Sequence, residues 1–215
     1  MAKCGYMQIA NRWILLAAVM VFVPSLAVRS GYAGEAPTLE YRVKAAFLYN
    51  FLKFVEWPDD QSADANVPIT IGILGEDRFG TAFDEIVSRK VKDRNIVVKR
   101  FSSHDTEQAK AGLAGCHLVF VTVSHRRHAR DVAAMLAGKP VLLVGESDGF
   151  LEAGGSVNFI MQGDRVSFDI NLDNADRAGL TIASQLLRLA RRVVKDGRTR
   201  SSNTIDLFFR QTRGV

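Results

Sequence analysis

Two cysteines in 215 residues are too few for a disulfide-built fold. Cys4 lies in the leading segment, so Cys116 stands alone in the rest of the chain and no internal bridge can form there. Burial must hold the fold. Strong charge of one sign is also missing. The formal net charge of +5 counts Lys3, Arg12 and Arg29; without residues 1–33 the balance is 25 basic against 23 acidic side chains. That weakens the electrostatic case for nucleic acid, and no zinc-finger or RNP signature supplies another. After the leader no second apolar run is long enough to span a bilayer. No internal repeat and no long linker divides the chain.

Residues 1–33 read as a secretory signal: Lys3 and Arg12 are the positive region, Trp13–Val23 an eleven-residue apolar run. That run falls well short of the ~20 residues of a membrane span. Pro24 ends it, and Gly31-Tyr32-Ala33 places small residues at the cleavage positions. Export to the periplasm with cleavage near Ala33 is expected. Cys4 precedes the apolar run and is no lipid acceptor. Residues 34–195 then form one domain, and 196–215 a mobile tail whose Ile205, Leu207, Phe208 and Phe209 are candidates for docking.

The densest pattern is Glu40–Asp60, EYRVKAAFLYNFLKFVEWPDD. It predicts a helix of about five turns from near Thr38 to just before Pro58. Val43, Ala46, Phe47, Asn50, Phe51, Phe54 and Val55 share one side, widened by Leu48 and Leu52. Arg42, Tyr49, Lys53 and Glu56 make a narrow wet stripe. So broad an apolar arc implies packing against the domain's own sheet and a second body. Asn50, inside that arc, must satisfy an amide; a structural tie to a neighbouring loop is expected, a ligand-facing amide being the alternative.

Beyond the polar stretch 59–66, strands and helices alternate: strands at 69–74, 96–101, 117–123 and 141–144, helices at 80–89, 106–113 and 125–136. LVFVTV and VLLV are almost wholly apolar and β-branched, as in strands covered on both faces. The expected fold class is therefore α/β: a layered, mostly parallel central sheet with flanking helices. Strands at 157–161 and 166–172, joined by Gln162-Gly163-Asp164-Arg165, add a C-terminal β-hairpin. A last helix is expected over 173–195, with Ile182, Leu186, Leu189, Ala190 and Val193 as its core stripe. Arg177, Arg188, Arg191, Arg192 and Lys195 lie opposite, a solvated face or a basic strip for an acidic partner or anionic headgroups.

No catalytic set is complete. Gly145-Glu146-Ser147-Asp148-Gly149 fits the GxSxG pattern after a strand, yet lacks a following helix. All four histidines, 104, 117, 125 and 128, precede Ser147, against the usual order of that elbow. GILGEDRFG has the wrong spacing for a dinucleotide loop. A phospho-receiver aspartate is replaced by Ser124. His125 and His128 share a face of a helix start, but no third ligand is evident and Arg126 and Arg127 oppose a dication, so no metal is expected. Cys116, opening an apolar strand, reads as a buried inert thiol, with an intermolecular bridge or redox switch as the alternative. Binding, not catalysis, is the class that remains, with no cofactor.

The segment YRVKAAFLYNFLKFVEWP resembles the opening of the YfiR-like family. GCHLVFV, SDGFLEAGGSVNF and FDINLDNADRAGLTIASQLLRLA resemble later parts of it, so the likeness spans Glu40–Val194. It implies a periplasmic regulator that clamps the sensor domain of an inner-membrane diguanylate cyclase or another sensor protein. An outer-membrane lipoprotein sequesters such a regulator; cyclic di-GMP and biofilm formation then rise. It also implies a homodimer. On that reading Tyr49 and Lys53, with Arg188, Arg191, Arg192 and Lys195, are candidates for the partner or dimer surface. The alternative is a small-ligand receptor feeding another membrane sensor or transporter. Its polar anchors would be Asp77, Arg126, Ser147, Asp148 and Asn158, near the carboxyl ends of the strands.

Overall fold

The structure is a computed structural model and describes residues 37–58 and 66–201. The leader, Cys4, the 59–65 stretch and the Phe208-Phe209 segment lie outside the described residues.

Helix α1 runs Leu39–Phe54, with Thr38 as its N-cap. It stops earlier than its apolar pattern suggests. Val55 and Glu56 form a short strand, β1, antiparallel to β9 (Thr181–Ile182). The β-branched Val55, and Pro58 with its penalty on a helical predecessor, favour the extended backbone there.

The nine strands of the described central sheet lie in the order β11-β10-β8-β7-β6-β5-β2-β4-β3. Strands β2 (Ile69–Leu74), β4 (Arg94–Phe101), β5 (Leu118–Val121) and β6 (Leu142–Gly145) are mutually parallel where they pair. β7 (Val157–Gln162) joins β6 in parallel, and β8 (Arg165–Asn171) returns antiparallel to β7, the expected hairpin. β3 (Lys90–Val91) pairs antiparallel with β4. The fold class is as the alternation predicted.

Side chains alternate across the sheet, so each face has its own core. One cluster joins Ile69, Ile71, Ile73, Leu118, Phe120, Leu142, Val144, Val157 and Phe159 to α1 and to α2 (Asp84–Val87) through Leu48, Phe51, Leu52 and Ile86. The other joins Leu74, Val119, Val121 and Leu143 to α3 (Glu107–Ala114) and α4 (Ala129–Met135) through Leu113 and Val132. Cys116 is buried in this second layer, its thiol donating to the Gly112 carbonyl. Burial pushes that thiol up to about 11. The 80–89 and 125–136 helices are shorter than expected, each entered through a 3₁₀ segment, Gly80–Phe83 and Val123–His128.

The end of the chain departs most from expectation. In place of one helix over 173–195 there are α5 (Leu172–Arg177), β9, α6 (Ser184–Leu189), β10 (Arg192–Lys195) and β11 (Arg198–Ser201). β10 pairs in parallel with β8, and β11 antiparallel with β10. Asp196 and Gly197 both have positive φ, 54° and 68°, the two-residue turn that matches strand twist. The domain therefore extends through Ser201, not to 195, and the segment 198–201 is strand rather than mobile tail.

Candidate functional site

In open α/β sheets the useful crevice lies outside the carboxyl ends of the strands, where the strand order reverses. Here that reversal falls between β2 and β5, since β4 pairs on one side of β2 and β5 on the other. The loops there are closely knit. The Gly75 amide donates to the Phe101 carbonyl (2.8 Å), the Glu76 amide to Ser124 Oγ (3.0 Å) and the Thr122 amide to the Leu74 carbonyl (3.0 Å). Asp77 accepts from the Phe79 amide (2.8 Å) and from Arg100 Nε (2.6 Å).

One strand over, Glu146 follows β6 with its side chain 3% exposed. It accepts from Lys44 Nζ (2.6 Å), from the Tyr41 hydroxyl (3.1 and 3.2 Å) and from the Val123 amide (2.9 Å). Lys44 also pairs with Glu40 one turn back. A residue of the GESDG loop thus anchors α1 to the carboxyl end of a central strand. Desolvation, then the Glu146 carboxylate, raises the Tyr41 hydroxyl above its ordinary value, so it stays a proton donor. This clamp explains the face that α1 buries. Tyr41, Lys44, Ala45, Leu48, Phe51 and Leu52 point inward. The buried arc is turned by about one residue, ~100°, from the arc read off the apolar residues alone.

That rotation leaves an apolar strip outside. Leu39 is 74% exposed, Ala46 is exposed, and Val43, Phe47, Asn50 and Phe54 are half-buried. Phe47 reaches inward to Phe168 (ring centroids 5.2 Å) while its other edge borders a groove of about 450 Å³. Leu39, Arg42, Val43, Ala46, Asn50 and Glu85 line the remainder. Asn50 is accordingly not the buried structural amide expected; it lies in the groove wall with no side-chain hydrogen bond among the described residues. Next to the strip, Tyr49 is half-buried between cations, with Lys53 Nζ at 5.6 Å and the Arg89 guanidinium at 5.5 Å from its ring centre.

The basic residues of the chain end do not share one helix. Arg191 and Arg192 both bind the fully buried Asp169, at 2.6–2.9 Å and 3.0 Å, and Lys195 pairs with Asp176. These cations are held by their own domain rather than aligned on one helix. Arg188, on α6, is exposed.

The proposed ligand anchors are dispersed in role. Asp77 is engaged with Arg100, Arg126 is exposed and donates weakly to the Val123 carbonyl (3.4 Å), and Asp148 is exposed. Ser147 is half-buried in a turn, and α-helix does not follow it. Asn158 is buried, opposite Asp169 across β7 and β8, with Oδ1 unpartnered among the described residues.

Sequence reasoning missed His104. The loop after β4 brings it beside the 3₁₀ turn, with ring centroids 5.1 Å from His128 and 6.2 Å from His125. His125 and His128 are 5.8 Å apart. Desolvation, then the neighbouring imidazoles, lowers the His125 pKa, favouring the neutral ring. The only sequence signal is that His104 lies just beyond a strand end in the same parallel sheet.

These features define a layered α/β domain with helices on both faces, a charge-clamped first helix and an outward apolar strip. The chain belongs to the YfiR/HmsC-like family, which matches residues 41–191. Membership supports a regulatory role in the periplasm. Among the described residues no helix is long and apolar enough to cross a membrane. Among solved structures, a conserved domain protein from Vibrio cholerae O1 biovar eltor is similar at 12% identity and TM-score 0.48, over 72% of this chain and 60% of that one. An ABC domain in complex with L-Trp from Streptococcus pneumonia is similar at 16% identity and TM-score 0.45, over 59% and 55%. The chain thus spans about 60% or less of the length of these solved chains.

Proposed function

We propose that this protein represses an inner-membrane signalling protein, a diguanylate cyclase, by binding its periplasmic domain, and that an outer-membrane lipoprotein competes for it and releases the cyclase. The family supports the partner class. The observation that carries the surface is the apolar strip of α1 around Ala46, Phe47 and Asn50, continuous with Tyr49 and Lys53. Its centre is apolar and its edge carries Arg42, Lys53 and Glu85, the arrangement of a protein-docking patch. Repression follows from differential affinity: the regulator holds the inactive state of the sensor domain and the lipoprotein draws it off. A homodimer through the same strip is the form in which the free regulator would cover it.

Deletion of the gene tests this reading. Cellular cyclic di-GMP is expected to rise, and affinity capture from envelope extracts to recover a membrane sensor. Unchanged cyclic di-GMP together with capture of soluble enzymes alone would remove the proposal.

A further inference from the structure

His104, His128 and Asp131 each offer one donor atom, and these three atoms lie within 4.8 Å of one another. We propose that they form a binding site for a divalent first-row transition ion, zinc above all, with water completing the coordination.

Backbone and burial bring the donors together from two directions. His104 comes from the loop between β4 and α3 and is buried, its side chain 9% exposed. His128 and Asp131 sit three positions apart at the start of α4, both exposed, with His128 Nδ1 3.7 Å from Asp131 Oδ2. Tetrahedral zinc at bond lengths of ~2.1 Å spaces its ligands by about 3.4 Å. The separations therefore need to close by up to about 1.4 Å, which the two exposed side chains can supply by torsional changes.

The donor types select the ion. Two imidazoles and one carboxylate suit zinc, copper or nickel, whereas magnesium and calcium take oxygen. Buried His104 has its Nδ1 unpartnered among the described residues, a costly state for a polar atom and a natural one for a ligand in waiting. Asp105 lies 3.5 Å from His104 Nε2, placed to orient the ring as outer carboxylates do at zinc sites. His125 flanks the cluster and is a second source of an imidazole nitrogen. The positive charge of Arg126 and Arg127 on the same turn is exposed to solvent, while Asp105 and Asp131 supply opposing charge nearby. This site is separate from the α1 strip and does not depend on the partner reading.

The test uses the untagged mature chain after chelator stripping. Calorimetric titration with zinc chloride is expected to give one equivalent per chain, and cobalt(II) to show the visible bands of imidazole coordination. His128→Ala and Asp131→Ala, both at exposed positions, are each expected to weaken binding at least roughly tenfold. His104→Asn is a third variant, with circular dichroism verifying its fold. Absence of zinc binding at about 100 μM, or affinity in His128→Ala and Asp131→Ala within that tenfold margin of the parent, overturns the site.

Discussion

Lys44 and Glu146 lie 102 positions apart in the chain and meet at 2.6 Å, their side chains 4% and 3% exposed. Breaking such a pair from one side leaves a bare charge in the interior, whereas replacing both ends with apolar groups removes charge and partner together. Glu146→Ala is expected to destabilise the domain by roughly 3–5 kcal/mol in denaturant unfolding. The double variant Lys44→Met, Glu146→Leu is expected to recover part of that loss, since the Tyr41 hydroxyl and the Val123 amide still lose their acceptor. Equal losses in the single and double variants would show that the pair does not act as a unit.

The same pair explains what the sequence made legible and what it hid. Strand and helix alternation was readable because the apolar, β-branched runs LVFVTV and VLLV suit strands covered on both faces, and LVFV and LLVG are such strands. The face of α1 was not, because Lys44 counts as polar in any periodicity and is buried only through a partner a hundred residues away. The C-terminal pattern misled for a related reason. Leu186, Leu189, Ala190 and Val193 fit a helical stripe, yet the Asp196-Gly197 turn signal and the adjacent Val193-Val194 favoured a hairpin, and pairing with β8 decided it. His104 could not be joined to His128 from spacing alone, since a loop in the folded chain makes the contact.

Asp169 is fully buried and accepts from two arginines, so its role is internal. Asp169→Asn removes the charge that both guanidinium groups answer and is expected to cost roughly 2 kcal/mol. Arg188→Ala, at an exposed position, should stay within about 0.5 kcal/mol of the parent. Comparable losses for the two would return Arg191 and Arg192 to a solvated strip.

Phe150 packs its ring against backbone at two glycines. A Cβ at Gly155 would sit 2.2 Å from that ring and one at Gly145 2.5 Å from it, while Gly155 N–H also closes onto the Phe150 carbonyl at 3.0 Å. Phe150 is buried in the second core layer and cannot yield without moving the layer. Gly155→Ala is expected to cost roughly 2–3 kcal/mol, as overpacking does. Phe150→Leu in that background should return part of it, measurable as a rise in unfolding midpoint.

Alkaline stability reports on Cys116. Its thiol is held up to about 11 by burial, against about 9 when exposed, so the folded state keeps a proton that the unfolded chain releases. The contribution is whole below the unfolded value and is lost as pH rises through that window to the folded one. Unfolding free energy should therefore fall by roughly 2 kcal/mol across it. Cys116→Ala should flatten that slope, leaving the later loss due to Tyr41, whose hydroxyl is also raised. A slope unchanged by the substitution would count against thiol burial as its cause. The native thiol should also react slowly with disulfide reagents near neutral pH.

The partner surface can be separated from the fold because Ala46 is exposed at the groove while Leu48 is fully buried two positions on. Ala46→Arg adds bulk and charge to the strip and touches no core contact. Its effect on unfolding free energy should lie within about 0.5 kcal/mol, whereas affinity for the captured sensor domain should fall at least tenfold. Lys53→Glu reverses the charge at the rim and should act mainly on the association rate and its salt dependence. If the strip instead pairs two copies of the chain, Ala46→Arg will shift the sedimentation profile from dimer to monomer with sensor binding intact. Binding and oligomeric state both unmoved by Ala46→Arg would place the docking surface elsewhere on the domain.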